Sequence, residues 1–167
     1  SYQKLIARKN RLNPFDERVV EAYWVGNELL NNVTANDMKE MFYKDYAWNK
    51  YLIRMIKNAP EGCKPYHNYH VMHIFSSVKG KIEKTISNQK QCLILPAIVI
   101  NPHKVELLDG TQRLVNHVFT SVRPGDVVTV HWDTIPQKIN KQQLTNLKLL
   151  TKNHAELLKC DWVLSML

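Results

Sequence analysis

The densest group of chemically versatile side chains lies between positions 63 and 73. Cys63, His67, His70 and His73 follow one another in the pattern Cys-x3-His-x2-His-x2-His. Thiolate and imidazole are the donors that zinc and other borderline metal ions prefer in proteins. The spacing therefore makes this segment a candidate metal cluster.

The geometry of this cluster depends on the element that carries it. In a strand, His67 and His73 share one face and His70 points to the other, because successive side chains alternate. In a helix, His67 and His70 are neighbours and His73 diverges. Neither arrangement closes a tetrahedral zinc site by itself. The alternative interpretation is that these histidines, together with Tyr66 and Tyr69, form an aromatic and polar contact surface between the helical part and the predicted barrel.

Motifs typical of enzymes are missing from the sequence. It contains no hydrolase triad and no arrangement of paired carboxylates, and its five glycines do not form a phosphate-cradling loop. We therefore expect a protein that is not an enzyme.

Composition limits the setting in which the protein works. With 167 residues, 44% of them hydrophobic, the chain can bury one good core. No apolar stretch approaches the roughly 18 residues that a membrane span needs, and three cysteines without paired spacing indicate reduced thiols. We expect a soluble, cytoplasmic protein with no membrane partner. The net charge of +8 favours an acidic or polyanionic partner.

The first part of the chain predicts three helices. One begins near Asn13, a cap residue followed by proline, and continues to about Asn31. Its apolar residues recur at helical spacing and predict a buried stripe of Val19, Val20, Tyr23, Trp24, Leu29 and Leu30. A second begins after Thr34, whose spacing to Asp37 is typical of a capping box. A third is expected over residues 48–57.

Beyond Gly62 the hydrophobic period changes. The alternation over residues 69–75 favours a strand. Further short β-rich segments lie at residues 93–95, 98–100, 105–108, 113–119 and 126–132. Asn-Pro, Asp-Gly and Pro-Gly pairs separate them, which predicts a small closed or half-closed antiparallel barrel.

A last helix is expected after Asn140, which has Gln143 three positions further on. The predicted fold class is therefore α+β. An N-terminal helical unit of residues 1–62 precedes a small antiparallel β-barrel with a C-terminal helix, residues 63–167.

Several short motifs follow one another in order between residues 91 and 150. Segment 92–96 reads Cys-Leu-Ile-Leu-Pro, segment 123–126 reads Arg-Pro-Gly-Asp, and segment 127–131 reads Val-Val-Thr-Val-His. This order resembles the hydrogenase-maturation chaperones of the HypC/HupF type, which read Cys-Leu-x-x-Pro and later Pro-Gly-Asp-x-Val-x-Val-His. In that family the cysteine is N-terminal and glycine follows the first proline, whereas here about 90 residues precede the cysteine and Ala97 follows the proline.

The resemblance implies a HypC/OB-like barrel and an accessory, non-catalytic function. In the family, the thiol and the histidine are implicated in holding an iron with carbon monoxide and cyanide ligands. The partners are a maturation scaffold protein and the hydrogenase large subunit. By position, these two ligands fall on Cys92 and His131, and a corollary is that the imidazoles of the cluster at 63–73 line the cleft facing Cys92.

The upstream region is similar to an uncharacterised prokaryotic family associated with hydrogenase genes. The similar stretches are residues 14–30 and the segment His-Asn-Tyr-His-Val at 67–71. This similarity implies the same pathway and no mechanism.

Other interpretations remain open. Cys92 can be an inert thiol that begins a core strand, and His131 a strand histidine satisfied by the backbone. For the whole protein, the alternative function is a basic OB-like barrel that binds single-stranded nucleic acid, which the positive charge favours. A metal-dependent enzyme built on the histidine cluster is a third option, for which the sequence carries no substrate signal.

Overall fold

The computed structural model describes residues 1–77 and 90–167. The helices are α1 (Tyr2–Asn10), α2 (Glu17–Trp24), a 3-10 helix (Glu28–Asn32), α3 (Ala35–Asp45), α4 (Lys50–Lys57), α5 (His67–Ser77), α6 (Lys141–Leu158) and α7 (Asp161–Leu164). The strands are β1 (Leu95–Asn101), β2 (Lys104–Leu107), β3 (Gln112–Leu114), β4 (His117–Val118), β5 (Val127–Val130) and β6 (Thr134–Ile135). No helix in these ranges is long and apolar enough to cross a lipid bilayer.

The two predicted capping boxes are confirmed. The Thr34 side chain accepts the Asp37 backbone N–H and the Asp37 carboxylate accepts the Thr34 N–H, so α3 begins with two satisfied donors. Asn140 and Gln143 exchange the same pair of hydrogen bonds at the start of α6. These helix starts follow from local side-chain chemistry.

The predicted helix from Asn13 to Asn31 is shorter than expected. It begins at Glu17, with Asp16 as its cap, and ends at Trp24. Gly26 then has a φ of 85°, and a Cβ there would collide with the Leu150 side chain on α6. The chain must therefore turn so that α6 can approach, and the apolar stripe continues in the 3-10 helix instead.

The strand predicted over residues 69–75 is wrong, because this segment lies within helix α5. Asn68 and Tyr69 are buried, and so are Val71, Met72 and His73. A helix buried on more than one side loses the simple polar and apolar period of a surface helix. The near-alternation of aromatic and apolar side chains is therefore not a strand signal here.

The antiparallel sheet is confirmed, but the described residues form no closed barrel. Four strands pair in the order β3-β2-β1-β5, and all neighbours are antiparallel. The segment expected as one strand over residues 113–119 divides into β3 and β4. Strand β4 pairs in parallel with β6 in a separate two-stranded sheet, so the larger sheet stays open.

Two large cores meet at helix α5. One contains α1 to α4 and includes Tyr69, and the other lies beneath the sheet and includes Val71 and Met72. Helix α6 contributes to the second core through Ala155 and packs with Leu150 against the first. The expected division into residues 1–62 and 63–167 stays a prediction.

Asn68 joins α5 to the segment that leads into β1. Its side chain is fully buried, and its amide donates to the Ile94 carbonyl at 2.8 Å while its oxygen accepts the Ile94 N–H at 2.8 Å. The amide also donates to the Thr151 hydroxyl on α6 at 3.0 Å. One side chain thus satisfies two buried backbone groups and holds three segments together.

We expect Asn68→Ala to lower the free energy of unfolding by about 3 to 5 kcal/mol, because it leaves the N–H and C=O of Ile94 buried without partners. Urea denaturation measures this loss. Asn153→Ala, at an exposed position of α6, serves as the control. A loss no larger than that of the control would contradict the structural role of Asn68.

His154 on α6 makes a second long-range connection. Its Nδ1 donates to the Leu150 carbonyl at 2.7 Å, and its Nε2 accepts the Lys64 backbone N–H at 2.8 Å. Burial lowers the pKa of His154 to about 4, because the charged ring would be poorly solvated. The neutral ring is therefore the form that the fold requires.

This burial predicts a loss of stability in acid. Since the unfolded histidine has a pKa of 6.5, the contribution of His154 is complete above that pH and disappears as the pH falls towards 4. Between pH 7.5 and 5 this corresponds to about 2 kcal/mol. Urea denaturation at both pH values should show a smaller difference for His154→Gln than for wild type or for the exposed-site control His117→Gln. An equal difference in all three proteins would contradict the prediction.

Candidate metal centre

The sulfur and the imidazole expected to meet are neighbours in the structure. Cys92 Sγ lies 3.9 Å from His131 Nε2, although 39 residues separate them along the chain. A ring nitrogen of His67 joins them, and the three ligand atoms all lie within 4.8 Å of one another. In the part of the chain that the structure describes, this is the group of three such side chains close enough together that it could hold a metal ion.

Strand pairing brings Cys92 and His131 together. Strands β1 and β5 are antiparallel, with Leu95 opposite Val130, so the residues just before β1 lie beside those just after β5. The Trp132 N–H then donates to the Gln91 carbonyl at 2.7 Å. Trp132 has a φ of 56°, a left-handed conformation that is uncommon outside glycine. The turn at Trp132 therefore ends the pairing of β1 with β5 next to the Cys92 thiol.

His67 reaches the same place from the first turn of α5. Its Nε2 lies 2.9 Å from the Cys92 carbonyl oxygen. Because a carbonyl only accepts, Nε2 carries the proton in this bond and Nδ1 keeps its lone pair. The Tyr23 hydroxyl lies 3.4 Å from Nδ1, a long contact.

The other members of the predicted cluster at 63–73 lie elsewhere. Cys63 is fully buried in the helical core, and burial raises the pKa of its thiol to about 11. His70 is exposed and meets the ring of Tyr2 edge-on. His73 is buried and stacks on Tyr69. The structure therefore does not bring these four side chains together. Of the four, His67 is the one that lies beside Cys92.

Two aromatic side chains of α2 pack against the imidazoles of the Cys-His-His group. The Trp24 ring stacks on His67 with centroids 4.9 Å apart and meets His131 edge-on at 5.6 Å. Tyr23 meets His67 edge-on at 5.8 Å. These neighbours restrict rotation of both imidazoles and remove water from one side of the group. The apolar pattern of α2 predicted burial of Tyr23 and Trp24 but gave no signal of this proximity.

Burial keeps all three groups uncharged near neutral pH. It lowers the pKa of His131 to about 4, with the neighbouring His67 adding to the effect, and it lowers the pKa of His67. Burial also raises the pKa of the Cys92 thiol, because the charged thiolate would be poorly solvated there. Two imidazole lone pairs are thus available without competition from protons, and the thiol releases a proton only when something replaces it.

The fold and this group define a protein of mixed helix and sheet, with a Cys-His-His group where its two large cores meet. Residues 1–118 match a family of unknown function, DUF6390. Since the match spans more than half of the 167 residues, the protein belongs to this family. Neither the curated proteins nor the solved structures contain a match. The matched region includes His67 and Cys92 and ends before His131.

The uncharged state of the group predicts the reactivity of Cys92. We expect its alkylation by iodoacetamide in the metal-free protein to accelerate up to and beyond pH 9.0, the ordinary pKa of a cysteine. Mass spectrometry identifies the labelled residue, since Cys63 and Cys160 are buried in the folded protein.

His131→Ala is the informative variant for this measurement. Because the wild-type imidazole is neutral, its removal should not slow alkylation at neutral pH. A rate that reaches a plateau near neutrality and falls in His131→Ala would instead reveal a thiolate and imidazolium pair, as in nucleophilic cysteines.

Proposed function

We propose that the protein is an accessory, non-catalytic hydrogenase-maturation protein of the HypC type, which carries an iron unit through Cys92 and His131. The observation that supports this function best is the 3.9 Å approach of Cys92 Sγ and His131 Nε2. These are the two positions onto which the resemblance projects the metal ligands. Two remote residues of the right types meet at one edge of the sheet.

The Pro-Gly-Asp motif has a physical role that fits this proposal. Gly125 has a φ of 87°, and the Asp126 carboxylate accepts the Arg123 N–H at 2.7 Å and pairs with Lys138 at 2.7 Å. The corner is thereby fixed at the start of β5, the strand that leads to His131. The motif thus helps to place the imidazole and is more than a local turn.

The donor set suits the proposed cargo. A thiolate binds a soft, low-spin iron well, and a neutral imidazole is a versatile second donor. Two protein donors leave positions for diatomic ligands and for a partner that receives the unit. The partners in this proposal are a maturation scaffold protein and the hydrogenase large subunit.

The proposal also concerns the fold. The antiparallel sheet followed by helix α6 agrees with the resemblance only as a combination of sheet and helix, since the described residues form no closed barrel. In this proposal, the thiol before β1 and the imidazole after β5 correspond to the two ligand positions that the resemblance implies.

Complementation in a hydrogenase-producing host that lacks its HypC-type chaperone tests the function. Wild type and the exposed-site control His117→Ala should restore hydrogenase activity. Cys92→Ser and His131→Ala should lower it by at least about tenfold, because loss of a residue that only hydrogen-bonds to a metal ligand already costs about that much. Affinity purification from the same cells should recover a maturation scaffold or the large subunit with wild type.

Two results would reject the proposal. One is normal maturation with Cys92→Ser, and the other is purification without any hydrogenase or maturation protein. Steeply salt-dependent binding of oligonucleotides, unchanged by Cys92→Ser, would favour the nucleic-acid alternative instead.

A further inference from the structure

We infer that His67 is a third protein ligand, so that His67, Cys92 and His131 form a site for a borderline divalent ion with one position open to an exchangeable anion. This deepens the proposed function and rests on its metal-binding role for Cys92 and His131. It does not rest on any hydrogenase partner. His67 belongs to α5, outside residues 91–150, which carry the resemblance to the HypC/HupF chaperones. The single open position applies to a four-coordinate ion, whereas a six-coordinate iron held by the same three ligands would keep three positions for diatomic ligands and a receiving partner.

The distances are close to those of a metal site. Bonds of about 2.0 to 2.3 Å from a tetrahedral ion place neighbouring nitrogen and sulfur donors roughly 3.5 Å apart. The Cys92 to His131 distance is 3.9 Å, and no pair of ligand atoms in the group is more than 4.8 Å apart. Side-chain rotations that close these gaps by at most about 1.5 Å would surround an ion.

The hydrogen bond of His67 orients its ring for this role. Histidine ligands commonly donate their second ring N–H to a carbonyl or carboxylate, which fixes the tautomer and the plane of the ring. Here the acceptor is the carbonyl of Cys92. Nδ1 is then the ring nitrogen left to bind an ion, and its hydrogen-bond contact with the Tyr23 hydroxyl is long, at 3.4 Å.

The surroundings leave one side of the group accessible. Trp24 covers the two imidazoles from the side of α2. All three ligand residues are nevertheless partly exposed. Three protein donors with an open direction are typical of sites that keep a fourth position for water or another ligand, whereas structural zinc sites are closed by four protein donors.

Charge selects the fourth ligand. One thiolate and two neutral imidazoles leave a divalent ion with one net positive charge. Among the described residues no carboxylate joins the group. An anion, such as hydroxide, azide or a thiolate from another protein, is therefore the favoured fourth ligand.

Cobalt(II) and zinc(II) titrations of the purified protein test the inference. We expect wild type to bind one equivalent, and we expect His67→Gln, Cys92→Ser and His131→Gln each to weaken binding by at least about tenfold. The matched control is His70→Gln, an exposed histidine one turn further along α5, which should bind like wild type. Glutamine at position 67 can still donate to the Cys92 carbonyl, so the metal-free fold is retained.

Spectroscopy separates a ligand from a merely structural residue. The cobalt form should show a thiolate charge-transfer band that Cys92→Ser removes, and its ligand-field bands should change on addition of azide. Nitrogen-15 NMR of histidine-labelled wild type needs no substitution, and zinc should shift the ring nitrogens of both His67 and His131.

The outcomes distinguish the inference from the function. Zinc that shifts only His131, or a His67→Gln variant that binds with wild-type affinity and spectrum, would overturn the role of His67 while leaving the two-ligand carrier intact. A cobalt spectrum insensitive to azide would overturn the open position. Three-ligand binding in a protein that has no effect on hydrogenase maturation would uphold the inference and reject the proposed function.

Discussion

The paired hydrogen bonds between Asn68 and Ile94 are the constraint on which this structure depends most. They fix helix α5 against the chain that enters β1, with no room for a shift along either element, because both backbone groups of Ile94 are matched. His67 precedes Asn68, and Cys92 lies two residues before Ile94. The contact between Asn68 and Ile94 therefore sets the position of the imidazole relative to the thiol.

The candidate metal centre lies where these cores meet, and this position has mechanical consequences. Trp24, which stacks on His67, comes from α2, and His67 comes from α5. Cys92 lies before β1 and His131 after β5. Any ion held by all three ligands would crosslink the helical and sheet parts through side chains. Binding and the relative stability of the two parts are thus thermodynamically linked.

Parts of the fold were predictable because their causes are local. The capping boxes at Thr34 and Asn140 and the turn at Asp109 and Gly110 depend on side chains a few residues apart. Helix α1 was not expected, although Leu5 and Ile6 are fully buried in it, because its sequence is short and basic and lacks a side-chain cap. Its stability comes from packing against α2 and α3, which a local pattern does not contain.

The candidate site residues likewise combine what short sequence patterns indicated with what only tertiary packing decided. Cys92 and His131 were selected through short motifs, and their contact arises from the antiparallel register of β1 and β5. The cluster at 63–73 was selected through spacing, and helix α5 disperses it, so that only His67 turns towards the thiol. Tyr23 and Trp24 were predicted to be buried, yet their contact with His67 depends on how α2 and α5 pack.

The sequence by itself determined the combination of helices with an antiparallel sheet and the starts of α3 and α6. Through a resemblance it pointed to Cys92 and His131, and through spacing to a second cluster that contains His67. Each of these is encoded by side-chain chemistry within a few residues or by a short motif. Only the tertiary structure decided that the sheet stays open, that residues 69–75 are helical and that His67 completes the group. These features depend on burial and on contacts between segments far apart in the chain. The sequence of one segment alone does not specify such contacts.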